Sequence, residues 1–237
     1  MHESKHWQPI SSLDGPSLDG VWDIQRRHGA LTLRAVAVRL QSGCVCVYSP
    51  VPHAGAEALR ELAALGTPIL LAPNAYHTLG VREHIDAFPD AKLVTSPRAA
   101  SRLRAKTGVT AQELRALEEK LPADVAVHVC PNARNGEVWL SVRRGDQCAW
   151  IVGDAFLNFS RLPSGPFGLA MRALRMGPGL SIGATFKWLL RDRRAYREWV
   201  LARIVEDRPT VLIPCHGNIL AAPQLPNLLE ALVRRRI

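Results

Sequence analysis

Three short apolar runs in this chain each end in a loop that carries one side chain able to hold a metal ion. Residues 69–71 lead into Ala72-Pro73-Asn74-Ala75-Tyr76-His77. Trp150-Ile151-Val152 leads into Gly153-Asp154, and Val211-Leu212-Ile213 leads into Pro214-Cys215-His216-Gly217. A carboxylate at the end of a buried strand is costly unless it is paired, hydrogen-bonded or on a metal. Loops at strand ends, held by a rigid sheet, are common places for chemistry. Taken singly, Asp154 reads as a turn or N-cap aspartate, and His77 and His216 read as structural histidines. Taken together, two imidazoles and one carboxylate make a set that suits Zn²⁺ or Fe²⁺ with positions left for water or substrate.

The elements that must position these residues can be read from pattern. Residues 31–40 alternate as a strand and 44–48 (CVCVY) form a second, with Gln41-Ser42-Gly43 between them as a hairpin turn. Residues 56–65 form an amphipathic helix that Gly66 and Pro68 end. After the strand and loop at 69–80 come a short helix at 81–88, a strand at 92–95 and a basic helix at 97–106. A second helix is predicted at 110–121, with Thr110 and Glu113 as a capping box. Asn135-Gly136 is a hairpin signal between strands at 125–129 and 137–142, and 148–152 is a further strand. Residues 161–183 read as a long loop with one short helix near 169–174, residues 185–206 as one long arginine-dense helix, and 225–235 as a terminal helix. This alternation predicts sheets covered by helices.

Composition bounds the class. The chain has 237 residues, 47% hydrophobic and 22% charged, which suits one domain with a real core. Residues 1–20 are polar and turn-rich and read as a flexible arm; residues 21–237 read as a single domain. The net charge of +9 is spread along helices without interleaved aromatics, which argues against a nucleic-acid partner. The uncharged stretch between Glu61 and Arg82 is broken by Pro68, Pro73 and Asn74, so no transmembrane segment is expected. Five cysteines at irregular spacing, with no secretory h-region at the N-terminus, make a reducing cytoplasm the default expectation. No P-loop is present, and Gly177-Pro178-Gly179 is a poor dinucleotide fingerprint.

The order of these pieces resembles the metallo-β-lactamase fold superfamily. That family has a strand followed by H-x-H-x-D-H, a histidine in a G-H-T-x-G-like turn, a strand ending in G-D and a last strand ending in histidine-glycine. The corresponding pieces here are Ala72-x-Asn74-x-Tyr76-His77, Asn132-Ala133-Arg134-Asn135-Gly136, Gly153-Asp154 and His216-Gly217, over roughly residues 31 to 220. The segments around Val38-Arg39-Leu40, Ser49-Pro50-Val51-Pro52 and Ala72-Pro73-Asn74 look like a bacterial branch of that superfamily with no established reaction. The resemblance implies a four-layer αββα sandwich with two mixed β-sheets.

It also implies a reduced site. The two histidines of the family's first metal site fall on Ala72 and Asn74, the third ligand of that site on Ala133, and the motif aspartate on Tyr76. His77, Asp154 and His216 match three ligands of the second site. The expectation is a metal-dependent hydrolase-like protein with one zinc or iron ion, acting on an ester, thioester or phosphoester. A mononuclear iron oxidation is a variant. The alternative is a metal-free, non-catalytic member that binds a small anion or a protein partner in the old cleft. Asn74 and Tyr76 are the candidate catalytic residues: Tyr76 is open between fourth ligand, proton donor and filler, and Asn74 between orienting the substrate and orienting the loop. His53 is a candidate extra ligand or acid/base group, Cys215 a candidate soft ligand, and His128 and Cys130 read as strand residues. Arg172 and Arg175, beside the glycine-rich loop, are candidates for a lid that receives an anionic small-molecule substrate.

Overall fold

A computed structural model describes residues 4–10 and 18–237. Residues 1–3 and 11–17 of the expected arm lie outside the described residues. The described parts of that arm pack on the body: Gln8–Pro9 (β1) pairs with Val21–His28 (β2), and Trp7, Ile10 and Leu18 are buried. The chain continues through Leu31–Arg39 (β3), Cys44–Tyr48 (β4), helix Gly55–Leu65 (α1), Thr67–Leu71 (β5), helix Val81–Ala87 (α2), Lys92–Val94 (β6), helix Pro97–Thr107 (α3) and a single turn at Arg115–Glu118 (α4). The second half has Val125–Val129 (β7), Val138–Arg144 (β8), Gln147–Val152 (β9), Phe156–Phe159 (β10), helix Gly165–Ala173 (α5) and Gly179–Ile182 (β11). Helices Ala184–Leu189 (α6) and Arg193–Asp207 (α7), strands Val211–Pro214 (β12) and Leu220–Ala221 (β13), and helix Leu225–Arg236 (α8) complete it.

Two mixed sheets result. The first runs β1-β2-β3-β4-β5-β6, with β4/β5 and β5/β6 parallel and the rest antiparallel. The second runs β13-β12-β9-β8-β7, with only β12/β9 parallel. The period-two alternation of side chains sorts the core into layers. Val36, Val38, Cys46, Tyr48 and Leu71 of the first sheet share one buried cluster with Leu140, Val142, Ile151 and Ile213 of the second. The opposite face of the first sheet (Ala35, Val45, Val47, Leu70) packs with Ala58 and Leu62 of α1 and Leu103 of α3. The opposite face of the second (Trp139, Trp150, Leu212) packs with Tyr196, Val200 and Ile204 of α7 and Leu225 and Leu229 of α8. The order is helix, sheet, sheet, helix. Strands buried on both faces read as continuous apolar runs, which is why CVCVY and WIV stand out.

Three predicted elements differ, and one strand is not predicted. Strand β2 is unexpected because it is polar at Asp23, Gln25, Arg26 and Arg27; its charges are spent on internal partners, Asp23 on Arg34 and Arg26 on the His53 carbonyl. The helix predicted at 110–121 shrinks to one turn with Leu114 at its N-cap. Gln112 instead extends the sheet edge, its N–H donating to the Leu93 carbonyl at 2.7 Å. The long helix at 185–206 is two, because the Asp192 carboxylate accepts from the Ala195 N–H at 2.9 Å and starts a new helix there. The loop at 161–183 contains a nine-residue helix, α5, and a strand, β11, that pairs antiparallel with β10.

Candidate metal centre

The three sequence candidates come together at the seam between the sheets. His77 arrives from the first sheet, after β5, while Asp154 and His216 arrive from the second, after the parallel strands β9 and β12. His77 Nε2 and His216 Nε2 approach the same atom, Asp154 Oδ1, at 3.4 and 3.3 Å. The imidazole centroids are 5.5 Å apart, and one donor atom from each residue lies within 4.8 Å of the others. The two histidine side chains are 8% and 15% exposed and the aspartate 28%, so the cluster opens to one side through Asp154.

Each member is held from behind. His77 Nδ1 is 2.7 Å from Ser49 Oγ. With the hydroxyl oxygen accepting from Nδ1–H, the Nε2 lone pair is left facing Asp154. His216 is placed by Arg34, a buried arginine of β3. The Arg34 guanidinium donates to the carbonyls of Pro214 at 2.6 Å and Gly217 at 2.8 Å, and to Asp23 Oδ2 at 2.8 Å. The Arg34 backbone N–H donates to the Cys215 carbonyl at 3.0 Å. The first sheet thereby clamps the loop that carries a candidate ligand of the second. Gly217 is required there: its φ is +99°, and a Cβ would stand 2.1 Å from the Asn158 carbonyl oxygen.

Asp154 is fixed by Asn74 and Glu137. Asn74, fully buried, accepts from the Tyr76 N–H at 2.8 Å and donates through Nδ2 to Asp154 Oδ2 at 2.9 Å and to Glu137 Oε2 at 3.3 Å. Glu137, also fully buried, takes further N–H donors from Asn135, Trp139 Nε1 and the Asp154 and Ala155 backbone at 2.8–3.2 Å. Burial and the Asp154 charge push Glu137 up to about 7, against the pull of those donors. Burial works to raise Asp154 too, but the two imidazoles outweigh it and hold its carboxyl well below the usual range. Glu137 was not singled out from the sequence. A carboxylate entering the apolar run Val138-Trp139-Leu140 carries the same signal as Asp154 leaving one, but the Asn135-Gly136 turn masks it.

The other candidates lie outside the cluster. Tyr76 is 44% exposed, and the Arg102 guanidinium lies 4.7 Å from its ring centroid. The hydrogen-bonding partner of Asp154 is Asn74. His53 lies in the link between β4 and α1, outside the cluster, its N–H donating to Glu83 and its carbonyl accepting from Arg26. His128 meets Ser141 at 2.9 Å, beside Asp207, and burial lowers its pKa. Cys130 and Cys215 are buried, and burial pushes both thiols up. Lys187 lies on α6, Arg191 in the link and Arg193, Arg194 and Arg197 on α7, with Arg194 paired to Glu198.

Beside the cluster lies a cavity of about 320 Å³, whose walls include Asp154, His216 and Tyr76. Among the described residues no lysine or arginine lines it; Arg172 and Arg175 are exposed. The expected cationic receptor for an anionic substrate is therefore not built there, because the side chains that α5 turns inward are apolar.

These features define a metallo-β-lactamase fold. A metallo-β-lactamase from Pontibacter korlensis matches with a TM-score of 0.58 at 12% identity, over 98% of this chain and 99% of its own. FIM-1 from Pseudomonas aeruginosa, solved in a mono-zinc form, matches with 0.58 at 11% identity over 97% and 96%. The flavodiiron protein from Giardia intestinalis matches with 0.60 at 13% identity over 99% of this chain but 60% of its own. No family model matches the chain, and no curated protein matches it by sequence. No helix among the described residues is long and apolar enough to cross a membrane.

Proposed function

We propose that this chain is a metal-dependent hydrolase-like protein with a single ion, zinc or iron, held by His77 Nε2, Asp154 Oδ1 and His216 Nε2. The observation that carries this reading is the spacing of those atoms. Ligands about 2.0–2.1 Å from a tetrahedral ion stand roughly 3.3–3.4 Å from one another, and the two histidine–aspartate separations are 3.4 and 3.3 Å. Those lengths are long for hydrogen bonds. His216 Nδ1 is buried without a partner, so the ring's one strong polar contact lies at Nε2. Ala72 and Ala133 are buried and offer no donor, which leaves one ion and no pair. The mono-zinc form of FIM-1 supports a single-ion state on this fold, and five unpaired cysteines support a cytoplasmic setting.

A bound ion supplies a water whose pKa falls from about 15.7 to about 7, and a charge that polarises the substrate carbonyl. The protein's residues do the positioning. Ser49 fixes the tautomer of His77, Arg34 fixes the loop of His216, and Asn74 with Glu137 keeps Asp154 turned toward the imidazoles. Tyr76 lines the cavity, and in this reading it touches the substrate or donates a proton to the leaving group.

The test is metal content of protein purified without a histidine tag, after exposure to Zn²⁺ or Fe²⁺. About one ion per chain is expected, lost in His77→Ala and His216→Ala. No bound ion in the wild type overturns the reading and leaves a metal-free cleft.

A further inference from the structure

We infer that the cavity beside the cluster is an acyl-chain pocket, and that the substrate is an uncharged ester or thioester of a medium-length fatty acid. This inference rests on the hydrolase reading for the bond that is cut, and on the cavity alone for the group that is bound.

Helix α5 and its C-cap residue Leu174 supply the roof. Phe167, Ala170, Met171 and Leu174 all line the cavity, and their spacing of three, four and seven is one face of a helix. The strand below supplies the floor with Leu157 and Phe159. The polar residues of the wall are Tyr76, Thr185, Asp154 and His216, the last two meeting at the candidate cluster. A ligand that fits this division has a polar reacting group at one end and an unbranched or lightly branched hydrocarbon at the other. A charged tail is excluded, since it would lose its water against apolar walls without a partner.

Size sets the length. At roughly 30 Å³ per heavy atom, the share of one water in the liquid, the cavity's volume takes about ten heavy atoms. That is a chain of about eight carbons together with its carbonyl group. In hydrolysis at the polar end, one water adds to the acyl carbon and the bond to the leaving oxygen or sulfur breaks. One proton passes to the alcohol or thiol, and the acid leaves as its carboxylate with release of the second.

Zinc-loaded protein is assayed with p-nitrophenyl acetate, butyrate, hexanoate, octanoate and dodecanoate. In parallel, binding of octanamide, an uncharged amide that fills the pocket, is measured by calorimetry with and without zinc. The expected result is a kcat/KM that rises about threefold to fourfold per added methylene up to octanoate and then levels or falls, with saturable octanamide binding. Leu174→Trp and Phe167→Glu, both at partly exposed positions of the roof, are expected to weaken octanamide binding and to collapse the octanoate-to-acetate ratio. Ester hydrolysis that ignores chain length, with no octanamide binding, overturns the pocket and leaves the hydrolase reading standing. Octanamide binding that the roof variants weaken, with no ester cut, supports the pocket and overturns the hydrolase reading.

Discussion

Replacing Arg34 by methionine keeps the stem of the side chain and deletes every contact of its head. Two carbonyls, those of Pro214 and Gly217, lose a charged donor, and Asp23 Oδ2 loses its guanidinium. Hydrogen bonds to charged groups contribute about 1.5–3 kcal/mol each. Stranding one member of a buried ion pair costs about 3–5 kcal/mol. Because these share one side chain they do not add fully, and a loss on the order of 4–7 kcal/mol is expected. Against a total stability of about 5–15 kcal/mol this leaves the variant marginal. At about 2–4 °C per kcal/mol for a chain of this length, Tm falls by roughly 10–25 °C. The companion change is Asp23→Asn in the Arg34→Met background, which removes the stranded charge and recovers about half of the loss. It does not restore the carbonyl clamp, so the loop of His216 stays loose and metal affinity stays below that of the wild type. Urea unfolding at constant m, thermal melts and a chelator competition titration read all three proteins. A single variant that melts within about 5 °C of the wild type, or a double variant no more stable than the single, refutes the clamp.

Other outcomes follow from neighbouring contacts. Ser49→Ala removes the acceptor of His77 Nδ1 and should weaken metal binding about 10- to 100-fold with little change in Tm. Unchanged affinity by the same competition titration would show that the tautomer is fixed elsewhere. Glu137→Gln turns an NH₂ toward Asn74, Asn135 and the Asp154 N–H; a similar loss of affinity is expected, accompanied by a lower urea midpoint. His84 donates from Nδ1 to the Gly80 carbonyl while its Nε2 is buried and unpartnered, and burial lowers its pKa. The folded state therefore resists protonating it. Its contribution is present above about pH 6.5, the unfolded value, and is lost as the pH falls through the lower folded value. His84→Phe should flatten part of the acid slope of the urea midpoint, with His128 and the low-held Asp154 carboxyl contributing to the remainder. An unaltered slope counts against this assignment.

Much of the fold is legible in the chain because strands buried on both faces cannot disguise themselves. CVCVY, the run before Ala72, and the runs before Asp154 and His216 all announce covered sheets, and the three ligand candidates inherit their position from them. What the sequence hides is whatever depends on a distant partner. Strand β2 looks like a loop because its Asp23 and Arg26 are polar, and only the fold supplies Arg34 and the His53 carbonyl to satisfy them. Arg34 itself looks like the solvent-facing member of an alternating strand, yet it is 3% exposed. Gln112 lies in a good helical pattern, but a free edge at Leu93 takes its backbone first. The break at Asp192 is a cap inside an otherwise continuous helical sequence. The arginines at 172 and 175 draw attention toward anions, while α5 and its C-cap face the cavity with phenylalanine, alanine, methionine and leucine.

The ligand cluster is split between the two sheets, one residue from the first and two from the second. Neither sheet alone presents more than a pair of donors, so ion binding reports their docking. By mass action, an ion at a hundred times its Kd stabilises the docked state by about 2.7 kcal/mol. The same ion would have little hold on a state in which the sheets have slid or parted, and its dissociation rate then measures how often the seam opens. An ion held as proposed would be a latch as much as a reagent, and would keep His77, Asp154 and His216 together apart from any chemistry.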